Sequence, residues 1–382
     1  MQINKISKKK LQVIVSDEKI NFIASAITPW HAIGVNALIN RLSAEGFKIN
    51  PLFVISVSPN KRYLLDSFSF NYNTKHVYYL DYSKNNNSKF KLLIKPWVSI
   101  INFFKNPSTN ASSRLIYVAS PWHPDFNKVN WLFEKMKNIN VKYCVFDEGV
   151  ATYLNSSNPI YRVFLYNKSI LRSLLFIYTF FVQNLILYKY IYKSRSFVNM
   201  NLFIQNRNKL ELNNIAVFHY RQFLKRDALD ISMKTISNLN STVVIATMAF
   251  SRKNIHYNED LNLLKKLITF IKSKGLTPII KPHPRENDFK EYYADLDCDI
   301  FDDINLPIEK IFNSKSKPKA FISFSSTSLI NAKLFYGINS ISIINLLNLK
   351  HFDKIYRDEM NSFRKTFNNQ LSFPESLNQI NL

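Results

Sequence analysis

The sequence predicts an α/β protein made of two domains, each built on a parallel β-sheet. Short apolar runs alternate with amphipathic helical patterns in both halves of the chain, and such alternation is typical of parallel strands joined by helices. The chain has 382 residues, of which 46% are hydrophobic, and this suits two domains of about 100–200 residues each. We expect the first domain over residues 1–195, with a helical insert from about residue 155. The second spans residues 196–382, and its last helices are expected to pack back on the first.

The individual elements follow from periodicity and from the residues that flank each apolar run. In the first domain, strands are predicted at residues 21–28, 51–57, 77–80, 115–119 and 141–146, and helices at 31–44 and 126–137. Residues 155–215 lack the alternation, and their aromatic, basic composition predicts the helical insert. In the second domain, strands are predicted at 241–247, 277–281, 298–301, 320–323 and 341–344, and helices at 258–274, 286–293, 307–313 and 326–335.

The composition narrows the class of partner. A net charge of +24 favours nucleic acid, an anionic membrane surface, a nucleotide-sugar or an acidic polysaccharide. The abundance of Lys and Asn is explained equally well by a compositionally biased genome. Only 5 glycines are present and no GxGxxG or GxxxxGK[ST] pattern occurs, which argues against a glycine-rich nucleotide fold. The positive charge is spread along the chain without a nucleic-acid motif, so we expect no nucleic-acid partner.

The expected compartment is the cytoplasm. Two cysteines, Cys144 and Cys298, are too few for a disulfide framework or a zinc motif, and the basic N-terminus lacks the apolar core of a secretion signal. The longest apolar stretch, residues 174–188, is interrupted by Gln183 and Asn184 and falls short of the about 18 residues of a spanning helix. Its basic flanks fit peripheral association with the inner face of the membrane, and a buried inter-domain helix fits equally well.

An acidic motif, Asp147-Glu148-Gly149, directly follows the predicted strand 141–146. Adjacent acids at the end of a buried strand are costly unless they are solvated or used, and crowding raises the pKa of a carboxyl group. Such a carboxylate suits a general base that removes a proton from an acceptor hydroxyl. A solvated loop at a strand end is the alternative interpretation.

A cationic loop, Lys-Pro-His-Pro-Arg-Glu, begins at Lys281 at the end of a predicted strand. Its two prolines, one of them Pro284, restrict how His283 projects, and Lys281 and Arg285 flank the imidazole. An imidazolium beside a phosphate can donate to it and neutralise its charge. We therefore expect these residues to form a phosphate site, although a single histidine is more often structural.

A hydroxyl-rich segment, residues 323–328, joins a predicted strand to a predicted helix. Hydroxyl and free backbone N–H groups at a helix start bind anions, which makes Ser325 and Ser326 candidates for a phosphate site. The same geometry serves helix capping, so the sequence leaves both roles open for either serine.

Two similar tetrapeptides also follow strands in the first domain, Thr28–His31 and Ser120–His123. Ligands of α/β proteins bind outside the carboxyl ends of the strands. We therefore expect His31 to face an acceptor, and Thr247, at the end of the first strand of the second domain, to line a nucleotide pocket.

In their order along the chain, the acidic, His-Pro and serine motifs resemble those of the bacterial GT-B sialyltransferases, especially capsular polysialyltransferases and lipooligosaccharide sialyltransferases. The resemblance covers roughly residues 110–345, without the aromatic insert. It implies the GT-B fold, with two Rossmann-like domains facing a central cleft. It also implies inverting transfer of sialic acid from CMP-sialic acid to an anionic glycan acceptor of a capsule or lipooligosaccharide, polysialic acid included.

The resemblance also assigns roles to residues. It implies that Glu148 is the general base, that Asp147 supports it, and that His283 is the general acid toward the CMP phosphate. Ser325 and Ser326 would hold the phosphate or the nucleotide end of the donor.

The third residue of the acidic motif, Gly149, would let the chain turn close to the substrate. No metal or other cofactor is expected, since the cationic loop and the serine segment would neutralise the leaving phosphate. Two rival functions stay open: a GT-B transferase that moves Kdo or glycerol phosphate from a CMP- or CDP-linked donor, and a non-enzymatic basic protein that binds membrane or nucleic acid.

Overall fold

The structure is a computed structural model of the chain. It describes residues 3–17, 19–26, 28–57, 65, 68, 76–81, 114–120, 139–147, 149, 153, 174, 178, 196–206, 209–226, 239–248, 257–284, 286, 288–304, 306–314, 316–352 and 354–382. Contacts divide the chain into two compact units. The N-terminal unit comprises Met1–Glu148 and Asn158–Phe223, and the C-terminal unit comprises Gly149–Ser157 and Leu224–Leu382.

The N-terminal unit contains, in its described part, a parallel sheet of seven strands in the order β1-β4-β3-β2-β5-β6-β7. The strands are β1 (Asn4–Lys5), β2 (Phe22–Ala26), β3 (Pro51–Val57), β4 (Val77–Asp81), β5 (Arg114–Ser120), β6 (Ile139–Phe146) and β7 (Ser196–Met200). An antiparallel hairpin of β8 (Phe203–Asn206) and β9 (Lys209–Leu212) follows. The described helices are α1 (Lys8–Asp17), α2 (Pro29–Ala44) and α3 (Asn214–Arg226).

The start of α2 shows why the chain turns into a helix directly after β2. The side chain of Thr28 accepts a hydrogen bond from the backbone N–H of His31, and Pro29 occupies the first turn, where no N–H is needed. Every residue of β2 is buried, as expected for a parallel strand covered on both faces. The core on one face includes Ile23, Val54 and other buried apolar side chains of β2 to β6.

The C-terminal unit contains a parallel sheet in the order β12-β11-β10-β13-β14 in the described residues. Its strands are β10 (Thr242–Ala246), β11 (Thr277–Lys281), β12 (Asp299–Ile300), β13 (Ala320–Ser323) and β14 (Asn339–Ser342). Its helices are α4 (Tyr257–Ser273), α5 (Phe289–Tyr292), α6 (Ile308–Phe312), α7 (Thr327–Asn331) and α8 (Lys354–Phe367). Gly275, two residues beyond the last residue of α4, has φ 73°, which is the left-handed conformation of a helix C-terminus.

Each sheet has a point where the order of strands reverses. In the N-terminal unit the chain runs outward from β2 through β3 to β4 and then returns to place β5 on the other side of β2. In the C-terminal unit it runs from β10 through β11 to β12 and returns to place β13 on the other side of β10. Ligands of open α/β sheets bind at this reversal, outside the carboxyl ends of the strands, so a ligand is expected at the loops after β2, β5, β10 and β13.

The α/β class with two parallel sheets is confirmed, and so is each predicted strand in the described residues. The expectation of helix throughout residues 155–215 is wrong for residues 196–212, which form β7, β8 and β9. β7 is short and supplies no long periodic pattern, and pairing with β6 is what fixes it as a strand. The contacts also place residues 158–223 in the N-terminal unit and residues 149–157 in the C-terminal unit, whereas the sequence placed a single boundary at residue 195.

Other expectations fall largely outside the described residues. The predicted helix 126–137 lies wholly outside them. Of the apolar stretch, Leu174 and Tyr178 are described and helical, and Tyr178 packs against the core of the N-terminal unit. No helix among the described residues is both long and apolar enough to cross a membrane. Within the C-terminal unit α8 buries Phe363 and Phe367, and the packing of the last helices on the first domain stays a prediction.

Candidate active site

Three adjacent strands of the C-terminal unit end in loops that carry the predicted donor-side residues. Thr247 follows β10, His283 follows β11, and Ser325 follows β13. Because β10 pairs with both β11 and β13 in parallel, all three loops leave the same edge of the sheet, at the reversal of strand order. The sheet topology thus brings together residues that are far apart in sequence.

The backbone of the His283 loop is held by side chains beneath it. The N–H of His283 donates to Glu286 Oε2 at 2.7 Å and to Thr247 Oγ1 at 3.1 Å. The hydroxyl of Thr247 in turn donates to Glu286 Oε2 at 2.6 Å. His283 itself is partly buried, as is Pro284. The expectation that Thr247 lines a nucleotide pocket stays a prediction, while its hydroxyl is seen to support the His283 loop.

The ammonium group of Lys281 is oriented toward the protein's own carbonyls. It is 4% exposed, and its Nζ donates to the carbonyl oxygens of Ile304 at 2.8 Å and Pro282 at 3.2 Å. Burial lowers the pKa of Lys281 to about 8. The ammonium group therefore anchors the segment that follows β12, through the carbonyl oxygen of Ile304. Arg285, the other cation expected at this site, lies outside the described residues.

The serine segment caps a short helix and contacts the loop after β10. The side chain of Ser326 accepts a hydrogen bond from the N–H of Ser328, so Ser326 is the N-cap of α7. The N–H and Oγ of Ser325 lie 3.3 and 3.4 Å from the sulfur of Met248. Ser326 thus performs the capping role that the sequence left open, and a phosphate role for either serine stays a prediction.

A partly buried acidic residue, Glu309, contacts the serine segment through Ser328. Glu309 of α6 accepts from Asn331 Nδ2 at 2.9 Å and from Ser328 Oγ at 3.4 Å. Desolvation raises the pKa of the Glu309 carboxyl, and the bond from Asn331 partly opposes this. The carboxyl group therefore links α6 to α7 and helps to place the serine segment.

In the N-terminal unit, Asp147 is fully buried at the end of β6. Its Oδ2 accepts from the N–H of Leu202 at 3.1 Å, and its own N–H donates to the hydroxyl oxygen of Tyr220 at 3.1 Å. Trp30 Nε1 lies 3.5 Å from Oδ1. Through these partners Asp147 holds the end of β6 to Tyr220 and to Leu202, directly before β8, and its expected support of the base stays a prediction. Glu148, the predicted base, lies outside the described residues.

The tetrapeptide after β2 meets the acidic motif through its tryptophan. The ring of Trp30 stacks on Tyr220 at a centroid distance of 5.4 Å, and Tyr220 is the residue that accepts from Asp147. His31 is 3% exposed and packs against the edge of Phe146. The expectation that His31 faces an acceptor stays a prediction, and its burial assigns it a packing role in this structure.

Gly149 adopts a conformation that side chains rarely take. Its φ is 115°, and an added Cβ would lie 2.6 Å from Thr327 Oγ1. Gly149 and Thr327 both belong to the C-terminal unit. Thr327 is thus the close neighbour that excludes a side chain at Gly149, and the expected approach of this turn to the substrate stays a prediction.

Three residues that hold the motifs in place, Tyr220, Glu286 and Glu309, were not expected from the sequence. Tyr220 lies 73 residues from Asp147 and carries no local signal. Glu286 ends the His-Pro motif, but nothing in the local sequence indicated that its side chain is buried, since glutamate is usually exposed. Among the described residues, no group of three His, Cys, Asp or Glu side chains is placed to hold a metal ion, and the metal-independent reaction stays a prediction.

A family model matches most of the chain. The model of the alpha-2,8-polysialyltransferase (POLYST) family matches residues 22–345. The chain is therefore a glycosyltransferase of the sialyltransferase class, and within that class it belongs to the alpha-2,8-polysialyltransferase family. The predicted kinship with polysialyltransferases is confirmed, and the match also extends through most of the first 110 residues.

Solved structures are similar at low sequence identity. An α/β-galactoside α-2,3-sialyltransferase from Photobacterium phosphoreum is 13% identical, with 94% of this chain and 98% of that chain covered and a TM-score of 0.39. The UDP-GlcNAc 2-epimerase of Neisseria meningitidis is 13% identical, with 95% of each chain covered and a TM-score of 0.45. An E. coli heptosyltransferase is 10% identical, with 85% and 87% covered and a TM-score of 0.37. Comparison with curated proteins gives no match.

Proposed function

We propose that this sialyltransferase uses CMP-sialic acid as its donor and transfers the sugar with inversion to a hydroxyl group of a glycan. The observation that carries the proposal is the placement of His283 and Ser325 in loops on either side of Thr247, at the reversal of strand order of the C-terminal sheet. This is the position at which open α/β sheets bind nucleotides. A histidine at that position is suited to meet the phosphate of the donor.

The proposed reaction breaks the bond between the anomeric carbon and the phosphate oxygen of CMP. His283 donates a proton to that oxygen as negative charge develops on it, and Glu148 removes the proton of the attacking hydroxyl. The bond from the acceptor oxygen forms on the opposite face of the anomeric carbon, which inverts it. The protein therefore has to position the acceptor hydroxyl and the donor and to neutralise the phosphate.

A donor screen tests the choice of nucleotide-sugar. The purified full chain is incubated with CMP-sialic acid, CMP-Kdo or CDP-glycerol and an oligosialic acid acceptor, and release of CMP or CDP is followed. We expect CMP release and acceptor elongation with CMP-sialic acid alone. Turnover with CMP-Kdo or CDP-glycerol, together with neither transfer nor slow hydrolysis of CMP-sialic acid, overturns the proposal.

Two substitutions test the assigned roles. We expect Glu148→Gln and His283→Ala each to lower kcat by about 100-fold or more, with thermal unfolding unchanged within a few degrees. Glu45→Gln is a matched control, because Glu45 forms an exposed pair with Arg41 on α2, and such pairs contribute little. Turnover within a few-fold of wild type in either test variant removes the role proposed for that residue.

The proposed acceptor is an anionic glycan, such as a growing polysialic acid chain, and the proposed location is the cytoplasm at the inner face of the membrane. The net charge of +24 supports both, since a positive field attracts polyanions and anionic lipid surfaces. We expect the KM for a long oligosialic acid to rise steeply with salt and that for a neutral acceptor to change little. Equal salt dependence for the two acceptors contradicts the acceptor assignment, and equal cosedimentation with neutral and anionic vesicles contradicts the location.

A further inference from the structure

A buried carboxylate lies directly beneath the His283 loop. Glu286 is 2% exposed, and Thr247, which contacts it, is 5% exposed. A carboxylate removed from water is costly unless donors replace its hydration. The hydrogen-bond donors around the Glu286 carboxylate therefore indicate its role.

Three donors converge on the two oxygens of Glu286. Oε2 accepts from the hydroxyl of Thr247 at 2.6 Å and from the backbone N–H of His283 at 2.7 Å. Oε1 accepts from the hydroxyl of Tyr293 at 3.1 Å. Tyr293 is 1% exposed, and burial raises the pKa of its hydroxyl, so it remains a donor. Hydrogen bonds of this kind to a charged acceptor are stronger than neutral ones.

The loop is closed on itself at the same place. The N–H of Glu286 donates to the carbonyl oxygen of His283 at 2.9 Å, while the Glu286 carboxylate accepts from the N–H of His283. The N–H of Thr247 donates to the carbonyl oxygen of Lys281 at 3.1 Å. The backbone of His283 is thus tied both to its own loop and to the end of β10. The backbone that carries the imidazole therefore has little freedom to move.

We infer that Glu286 is a positioning residue for sialyl transfer, which acts through His283 by fixing its backbone with the help of Thr247 and Tyr293. This inference rests on the proposed function, in which His283 donates the proton to the leaving phosphate. Proton donation requires the imidazole within hydrogen-bond reach of that oxygen, and a displacement of about 1 Å can lower a rate about 100-fold. Glu286 does not touch the substrate in this scheme.

The test compares Glu286→Ala, which removes every bond to the carboxylate, with Glu286→Gln, which keeps an acceptor for His283 and a polar partner for Tyr293. For Glu286→Ala we expect kcat with CMP-sialic acid to fall about 10- to 100-fold, with the Kd of CMP changed less than about threefold. Glu286→Gln should recover most of the lost turnover. Glu291→Ala is the control, because Glu291 is an exposed acid on α5 and should behave as wild type.

A kcat of Glu286→Ala within about twofold of wild type overturns the inference, as does equal loss of kcat and CMP affinity. If Glu286→Ala fails to fold, Thr247→Val carries the test, since it removes one donor to Glu286 and one acceptor of the His283 N–H. It should lower kcat about 3- to 10-fold, and by more than it raises the Kd of CMP, because Thr247 is also predicted to line the nucleotide pocket. A kcat of Thr247→Val within about twofold of wild type then overturns the inference. His283→Ala is measured alongside. Full turnover in His283→Ala refutes the proposed acid, whereas loss there with no effect at Glu286 refutes the positioning role alone.

Discussion

The backbone N–H of Asp147 donates to the hydroxyl oxygen of Tyr220 at 3.1 Å, across 73 residues of sequence. Both residues are fully buried, and burial raises the pKa of the Tyr220 hydroxyl well above its ordinary value, with the nearby Asp147 charge adding to the effect. The end of β6, from which the acidic motif leaves, is therefore fixed by α3.

Tyr220→Phe should destabilise the N-terminal unit. The substitution leaves the buried N–H of Asp147 without its acceptor, and an unsatisfied buried donor costs about 1–3 kcal/mol. We expect a lower free energy of unfolding and reduced turnover, because the acidic motif loses its support. Chemical denaturation of the purified variant measures the change, and unchanged stability with unchanged turnover would show that the bond contributes nothing.

Gly34→Ala should also destabilise the protein, although alanine ordinarily favours a helix by about 1 kcal/mol over glycine. Gly34 lies in α2, and an added Cβ would come within 2.7 Å of both Phe146 Cδ2 and Tyr220 Oη. Overpacking of this kind costs about 1–3 kcal/mol.

The sign of the Gly34→Ala effect is the test, because an uncrowded helical glycine would gain stability. Repeating the substitution in Tyr220→Phe removes one of the two close contacts, so we expect the two changes to be non-additive. Strict additivity would mean that the hydroxyl does not crowd this site.

Gly149→Ala combines steric and backbone strain, and a second substitution separates them. Thr327→Ala removes the two atoms that would lie 2.6 and 3.2 Å from the new Cβ. We expect Gly149→Ala alone to be severely destabilised and the double variant to recover all but the cost of the strained positive φ, about 1–3 kcal/mol. Melting temperatures of the four proteins measure this, and no recovery in the double variant would place the strain elsewhere.

The buried ammonium group of Lys281 should make the free energy of unfolding depend on pH. Its pKa is lowered to about 8 by burial, so between pH 8 and the ordinary value near 10.5 the unfolded state binds more protons than the folded state. The cost of the buried charge is fully present below pH 8 and is relieved as the pH rises. Relative to Lys281→Met, wild type should gain about 2 kcal/mol between pH 7 and 9.5. A pH-independent difference would show that the ammonium is not desolvated.

Local pattern was sufficient for most of the regular structure. β3, β11 and β13 are predicted to the residue, because each is a short apolar run bounded by polar or proline residues. β7 to β9 were missed, because their identity depends on pairing with β6 and with each other. The three motifs were found because each directly follows a predicted strand, and that is where α/β proteins place functional groups.

The hydrogen-bond partners of the motif residues could not be predicted from local sequence pattern. His31 carried the stronger sequence signal of the Thr28–His31 tetrapeptide, yet Trp30 is the residue that meets Asp147. Lys281 was expected to face a phosphate, yet its ammonium binds the carbonyl of Ile304. A charged or polar side chain is directed by whichever groups share its buried neighbourhood.

The sequence by itself determined the α/β class, the strand ends and the motifs that follow them, since hydrophobic periodicity and turn chemistry act over a few residues. Only the tertiary structure decided that Glu286 holds the loop of His283 and that Tyr220 holds the backbone of Asp147. Buried polar groups must find hydrogen-bond partners, and the partners within reach are set by the order of strands in each sheet, which joins segments far apart in the chain.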